Sequence, residues 1–100
     1  MMLGIIVTTD RHGIHLAGIA KAAQAKGHAV NIFLTDEGTR LLRDPEVRNL
    51  ALLSGIEMSF CVQSAKKIGT TYEGIGPEII AGSQMNNAIM NRHADKVIVL

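Results

Sequence analysis

Apolar and polar positions alternate along this chain in blocks, and the blocks change period in a regular way. "LGIIVTT" (3 to 9) is a β-branched apolar run followed by the polar, turn-prone "DRHG", the pattern of a buried strand ending near Thr8. In "GIHLAGIAKAAQAKG", Leu16, Ile19, Ala20 and Ala23 fall at i, i+3, i+4 and i+7, which is one helical face, and Gly27 stands where a terminating glycine belongs. "AVNIFL" (29 to 34) is a second buried strand, broken by "TDEG" and a helical turn "TRLLR". Asp44-Pro45 supplies an N-cap and an N1 proline for a helix through "PEVRNLALLSG".

"IEMSFC" alternates Ile56, Met58 and Phe60 with Glu57, Ser59 and Cys61, the period of two of a strand with unlike faces. "VQSAKKIG" then reads as a short helix stopped by Gly69, and Thr70 to Glu73 have capping-box spacing for one further turn. A brief strand is expected at Glu78 to Ala81. Ser83 caps a helix with Met85, Ala88 and Ile89 turned inward, and "KVIVL" (96 to 100) is a closing strand. Continuous apolar strands alternating with helices predict a three-layer α/β/α fold over residues 1–100 as one domain. Its sheet should be parallel-dominated, with four or five strands and right-handed crossovers. Ile5, Ile6, Val7, Ile32, Leu34, Val97 and Val99 are the expected sheet core.

Composition narrows the function classes. Ten Lys and Arg stand against nine Asp and Glu, with no block of like charge, so no electrostatic footprint for direct nucleic-acid or membrane binding is present. No apolar stretch approaches a bilayer span, and Met1-Met2-Leu3 runs into a strand with no basic leader; the chain reads as cytoplasmic. Hydrophobic residues are 47% of a 100-residue chain, which predicts apolar surface in excess of what two thin helical layers cover, and hence a homo-oligomer.

In parallel sheets ligands gather at the carboxyl ends of the strands. That rim collects Asp10, Arg11, His12 and His15 after the first strand, Asp36 and Glu37 after the second, and Cys61, Gln63 and Ser64 after the third. Cys61 is the sole cysteine, so no internal disulfide forms. At the start of a helix a thiol meets unpaired backbone N–H groups and the positive end of the dipole, which favour thiolate. The competing reading is a packed, inert residue, since free cysteine is among the most buried types. His12 and His15 have helical metal-ligand spacing, yet no third ligand is tied to them, so no metal is expected. "GIHLAGIAK" misplaces the lysine of a phosphate loop and "GIGPEI" lacks the third glycine of a dinucleotide fingerprint, so no cofactor is expected.

"SFCVQSAKKIGTTYEGIG", with "ADKVIVL" at the end, "LGIIVTTD" at the start and "NIFLTDEG" after the second strand, resembles the DsrE/DsrF/DsrH-like family of small sulfur-relay proteins, particularly its TusD-type and DsrE-type subunits. The resemblance runs over nearly the whole chain, although the segment between the second strand and the cysteine helix is compact. It implies trimers or hexamers, sulfur donor and acceptor proteins as partners, and a sulfurtransferase role in which Cys61 carries persulfide sulfur. The runner-up from the residues is a non-catalytic oligomeric module that binds a small anion or nucleotide at the strand-end rim. His12, His15, Asp36, Gln63 and Ser64 would support either function.

Overall fold

The computed structural model describes residues 1–100. Five strands, β1 (Met2–Val7), β2 (Ala29–Leu34), β3 (Ile56–Cys61), β4 (Ile79–Gly82) and β5 (Lys96–Val99), form one sheet in the order β4-β3-β2-β1-β5. Every pairing is parallel. The connections are α1 (Gly13–Ala25), a 3-10 helix (Asp36–Arg43) running into α2 (Pro45–Leu50), α3 (Val62–Ile68) and α4 (Gln84–His93). The chain steps outward from β1 to β4 and then returns across the sheet to β5. Right-handed crossovers therefore put α1, the 3-10 helix, α2 and α3 on one face and α4 alone on the other.

The main core lies under the well-covered face. Ile5, Val7, Ile32, Leu34, Met58 and Phe60 point into it from the strands, against Leu16, Ala17 and Ala20 of α1 and Val47 and Leu50 of α2. The alternate residues face α4, where Phe33, Cys61 and Met90 form a small second cluster flanked by Ile6. Close approach of α4 depends on Gly4: a Cβ there would lie 3.2 Å from Ala94 Cβ and 3.3 Å from Met90 Sδ.

The caps follow the sequence signals. Asp44 accepts the Glu46 N–H at 3.0 Å with Pro45 at N1, and Ser83 and Asn86 form a reciprocal capping box. Gly69 closes α3 at φ 87°, in the left-handed region that suits glycine.

Four expectations change. Val97 and Val99 are 36% and 62% exposed, because β5 is an edge strand and register with Gly4 and Ile6 turns both toward the thinly covered face. On α4 the inward residue is Met90, while Met85, Ala88 and Ile89 are exposed. The Ser83 cap fixes the helix phase so that Asn86, Met90 and Ala94 run along the sheet side. Thr70 to Glu73 form no helix: Thr70 is tied to Thr39 of the 3-10 helix at 3.3 Å, and Tyr72 packs on Phe60 at 5.2 Å between ring centroids. Finally α2 stops at Leu50, and turns carry the chain to Gly55.

Candidate functional site

Strand β3 ends in Cys61, and α3 begins at the next residue, so Cys61 is the N-cap of that helix. Its Sγ accepts the Ser64 N–H at 3.4 Å, the geometry in which a cap side chain takes a first-turn donor. The alternation of β3 turns this side chain to the α4 face, beside Phe33 and Met90, where only 3% of the residue is exposed.

A line of polar groups leads to the sulfur from β2 and α4. Gln84 Nε2 donates to Thr35 Oγ1 at 3.1 Å, and Thr35 Oγ1 lies 3.2 Å from Ser64 Oγ. Asn87 Nδ2 donates to Gln84 Oε1 at 3.3 Å, which fixes the carboxamide with its nitrogen toward Thr35. With one lone pair of Thr35 taken by Gln84, its O–H is free to donate to Ser64, and the Ser64 O–H is then free to point at Cys61. Such a chain of donors polarises along its length.

Burial pushes the Cys61 thiol up, but the Ser64 hydroxyl, the Ser64 N–H, the Gln84 carboxamide and the Gln63 N–H together outweigh it and hold the thiol below its ordinary value. All four donors favour the anion and none is an opposite charge. The thiolate is stabilised by hydrogen bonding rather than by an ion pair.

The other rim residues distribute around this centre. Gln63 contributes its backbone N–H while its side chain is exposed. Asp36 follows β2 at φ 49°, the one non-glycine residue in the left-handed region, which Asp tolerates better than most. It lines an open cleft of about 550 Å³ together with Thr8, Arg11, Glu37, Ser64 and Lys67. His12 and His15 are exposed at the start of α1, edge to face with each other at 5.8 Å, and no hydrogen bond joins either to the cysteine cluster. No group of three His, Cys, Asp or Glu side chains with metal-holding geometry is present.

Sequence reasoning missed Thr35 and Gln84. Both sit immediately beyond strands on the same rim, Thr35 after β2 and Gln84 two residues after β4. The strand-end rule would have reached Gln84 had it been extended to β4.

The decisive comparison is with family models: that of the DsrE/DsrF-like family matches residues 1–100. The chain belongs to the DsrE/DsrF-like family. Membership brings the family's general association with sulfur relay among partner proteins. The fold is shared with YchN of E. coli, 14% identical over 100% of both chains with a TM-score of 0.77. It is also shared with MTH1491 of Methanobacterium thermoautotrophicum, described as a protein of unknown function, 12% identical over 99% of this chain and 98% of that one, with a TM-score of 0.76. No curated protein matches the chain by sequence. No helix of this family member is long and apolar enough to cross a membrane.

Proposed function

We propose that the protein is a sulfur carrier that accepts sulfane sulfur as a persulfide on Cys61 and passes it to an acceptor. The observation that carries this reading is the seat of Cys61 Sγ at the N-cap of α3, where it accepts the Ser64 N–H at 3.4 Å and where the polar line from Gln84 through Thr35 ends at Ser64. A packing residue needs no such seat, whereas a nucleophilic thiolate does. In loading, the thiolate attacks the outer sulfur of a donor persulfide and displaces the donor thiolate. In delivery, an acceptor nucleophile attacks the outer sulfur and returns Cys61 as thiolate. Neither step calls for a second cysteine, in keeping with the single one here. Gln84 is exposed while Cys61 is covered, so Gln84 is the side chain that swings aside for the incoming sulfur.

The carrier acts as a homo-oligomer alongside its donor and acceptor proteins. Register places Ile80, Val97 and Val99 on the α4 side of the sheet, and Met85 and Ile89 project from α4 beside them. Apolar surface concentrated on one face is the usual mark of an interface.

The test is to incubate the protein with a cysteine desulfurase and cysteine and to weigh it intact. One added sulfur, removed by reductant and missing in Cys61→Ser, is expected. Native protein that resists sulfuration and alkylation, while unfolded protein reacts, would make the thiol core. The rim-binding reading has the cleft in its favour, but Asp36 and Glu37 on its wall oppose a simple anion.

A further inference from the structure

The cleft beside the cysteine cluster holds charges that the fold does not use. Glu37 is held by Arg40 at 3.6 Å, and Arg40 also reaches Asp10 at 3.8 Å. Arg11 and Lys67 have no carboxylate within ion-pairing distance, and Asp36 has no cation. Unpaired charges on a surface are ordinary when scattered, since exposed pairs contribute little. Here two unpaired cations and one unpaired carboxylate, with the Arg40-paired Glu37 beside them, face a single depression of about 550 Å³, a volume suited to a small molecule. A ligand carrying both carboxylate and ammonium groups satisfies all three at once. A simple anion would leave Asp36 repelling it.

The cleft also touches the thiol's surroundings. Ser64 forms part of its wall, and the same residue donates its N–H to Cys61 Sγ. Ser64 is thus the residue that connects the cleft to the sulfur.

Resting on the carrier reading above, we propose that this cleft seats the carboxylate and ammonium groups of a small amino-acid persulfide, the class of cysteine persulfide and its short peptides, which loads Cys61 directly. Arg11 and Lys67 hold carboxylate, Asp36 holds ammonium, and the sulfane sulfur reaches past Ser64. The Cys61 thiolate attacks the outer sulfur; the new Sγ–S bond forms as the donor's S–S bond breaks. The donor leaves as a thiolate that takes a proton from water, and the outer sulfur stays on Cys61. Sulfur oxidation states exchange between donor and carrier with no net oxidation, so no co-reactant enters.

Binding is tested on full-length Cys61→Ser, which cannot react, by amide chemical-shift titration with S-methylcysteine and S-methylglutathione. Shifts centred on Arg11, Asp36 and Lys67 are expected, and the tighter of the two probes assigns the donor's size. N-acetylation of the S-methylcysteine probe should weaken binding about tenfold, the loss of one charge-assisted hydrogen bond, and decarboxylation, which removes the partner of both Arg11 and Lys67, should weaken it by at least about as much. Asp36→Asn, which retains a side chain tolerant of positive φ, should abolish the preference for a free ammonium, and Arg11→Gln the preference for carboxylate. Zwitterions that bind no better than the truncated probes, or shifts that fall elsewhere, overturn the proposal; if a desulfurase still loads wild-type Cys61, the carrier reading survives it. If the cleft binds the zwitterion but wild-type Cys61 resists both cysteine persulfide and the desulfurase, the carrier reading fails and takes the donor role of the cleft with it.

Discussion

Removing the Ser64 hydroxyl is the sharpest probe of how the thiolate is held. Ser64→Ala leaves the backbone N–H at 3.4 Å from Sγ but deletes the side-chain donor at the end of the Gln84, Thr35 and Ser64 line. A hydrogen bond to a charged group contributes about 1.5 to 3 kcal/mol, and a long bond to soft sulfur belongs at the lower end. About 1.4 kcal/mol corresponds to a tenfold smaller thiolate fraction at neutral pH. The thiolate that does form is more basic, and with a Brønsted coefficient of about 0.4 to 0.5 its intrinsic rate rises about threefold. The two effects oppose each other below the titration and only the second survives above it. Exchange with a small neutral disulfide, followed across pH, should therefore be about threefold slower than wild type at low pH and about threefold faster at high pH, so the curves cross. Ser64→Thr, which restores a hydroxyl, should move the profile back. A change by the same factor at every pH would mean that the variant altered access to Cys61 and not its basicity, and the reasoning would be wrong.

Three further outcomes follow from the geometry. Because the folded thiol titrates below its unfolded value, the unfolded chain binds more protons in the interval between them; stability rises with pH through that interval, is full above about 8.5 and is lost as pH falls through the folded value. The Tm of wild type should accordingly gain on that of Cys61→Ala as pH rises toward about 8.5, and a constant gap would refute the linkage. Met90→Ala opens a cavity against Phe33 and Cys61 and should cost about 2 to 5 kcal/mol in chemical denaturation; an unchanged midpoint would show that α4 adds nothing to global stability. Light scattering should give a multiple of the chain mass, and a monomer at micromolar concentration would dispose of the oligomer.

How far the sequence carried depended on which side of the sheet was being read. On the main-core face each signal agreed with its neighbours: Leu16, Ala20 and Ala23 share a helix face, and Ile56, Met58 and Phe60 share a strand face, so both pattern and partner were legible. On the α4 face the apolar pattern misled, because Met85 and Ile89 are as hydrophobic as Met90 and only the Ser83 cap and the small contact residues Gly4 and Ala94 decide which one turns inward. Val97 and Val99 read as core for the same reason: a residue's hydrophobicity does not state whether a helix happens to lie over it. The position of Cys61 was visible as the junction of a period-two block and a helix. Its partners were not, since Thr35 and Gln84 come from segments 26 residues before and 23 residues after it in number and meet it only through the strand order.

The single helix over one face also sets a clock. Cys61 lies beneath the start of α4, which joins the rest of the molecule chiefly through Met90 and the Gln84 contact, while α1, α2, α3 and the 3-10 helix share a continuous core. Segments with few buried contacts open more readily than the whole protein unfolds. On the carrier reading, transfer to a partner protein would then follow a two-step rate law: an opening equilibrium of α4 multiplied by the intrinsic reactivity of the uncovered sulfur. When closing is fast, the observed rate is their product; when a reagent or partner reacts faster than α4 recloses, the rate saturates at the opening step and no longer depends on concentration. A partner protein that holds α4 open would accelerate transfer without touching the sulfur at all, and amide exchange in residues 84–93 would rise with it.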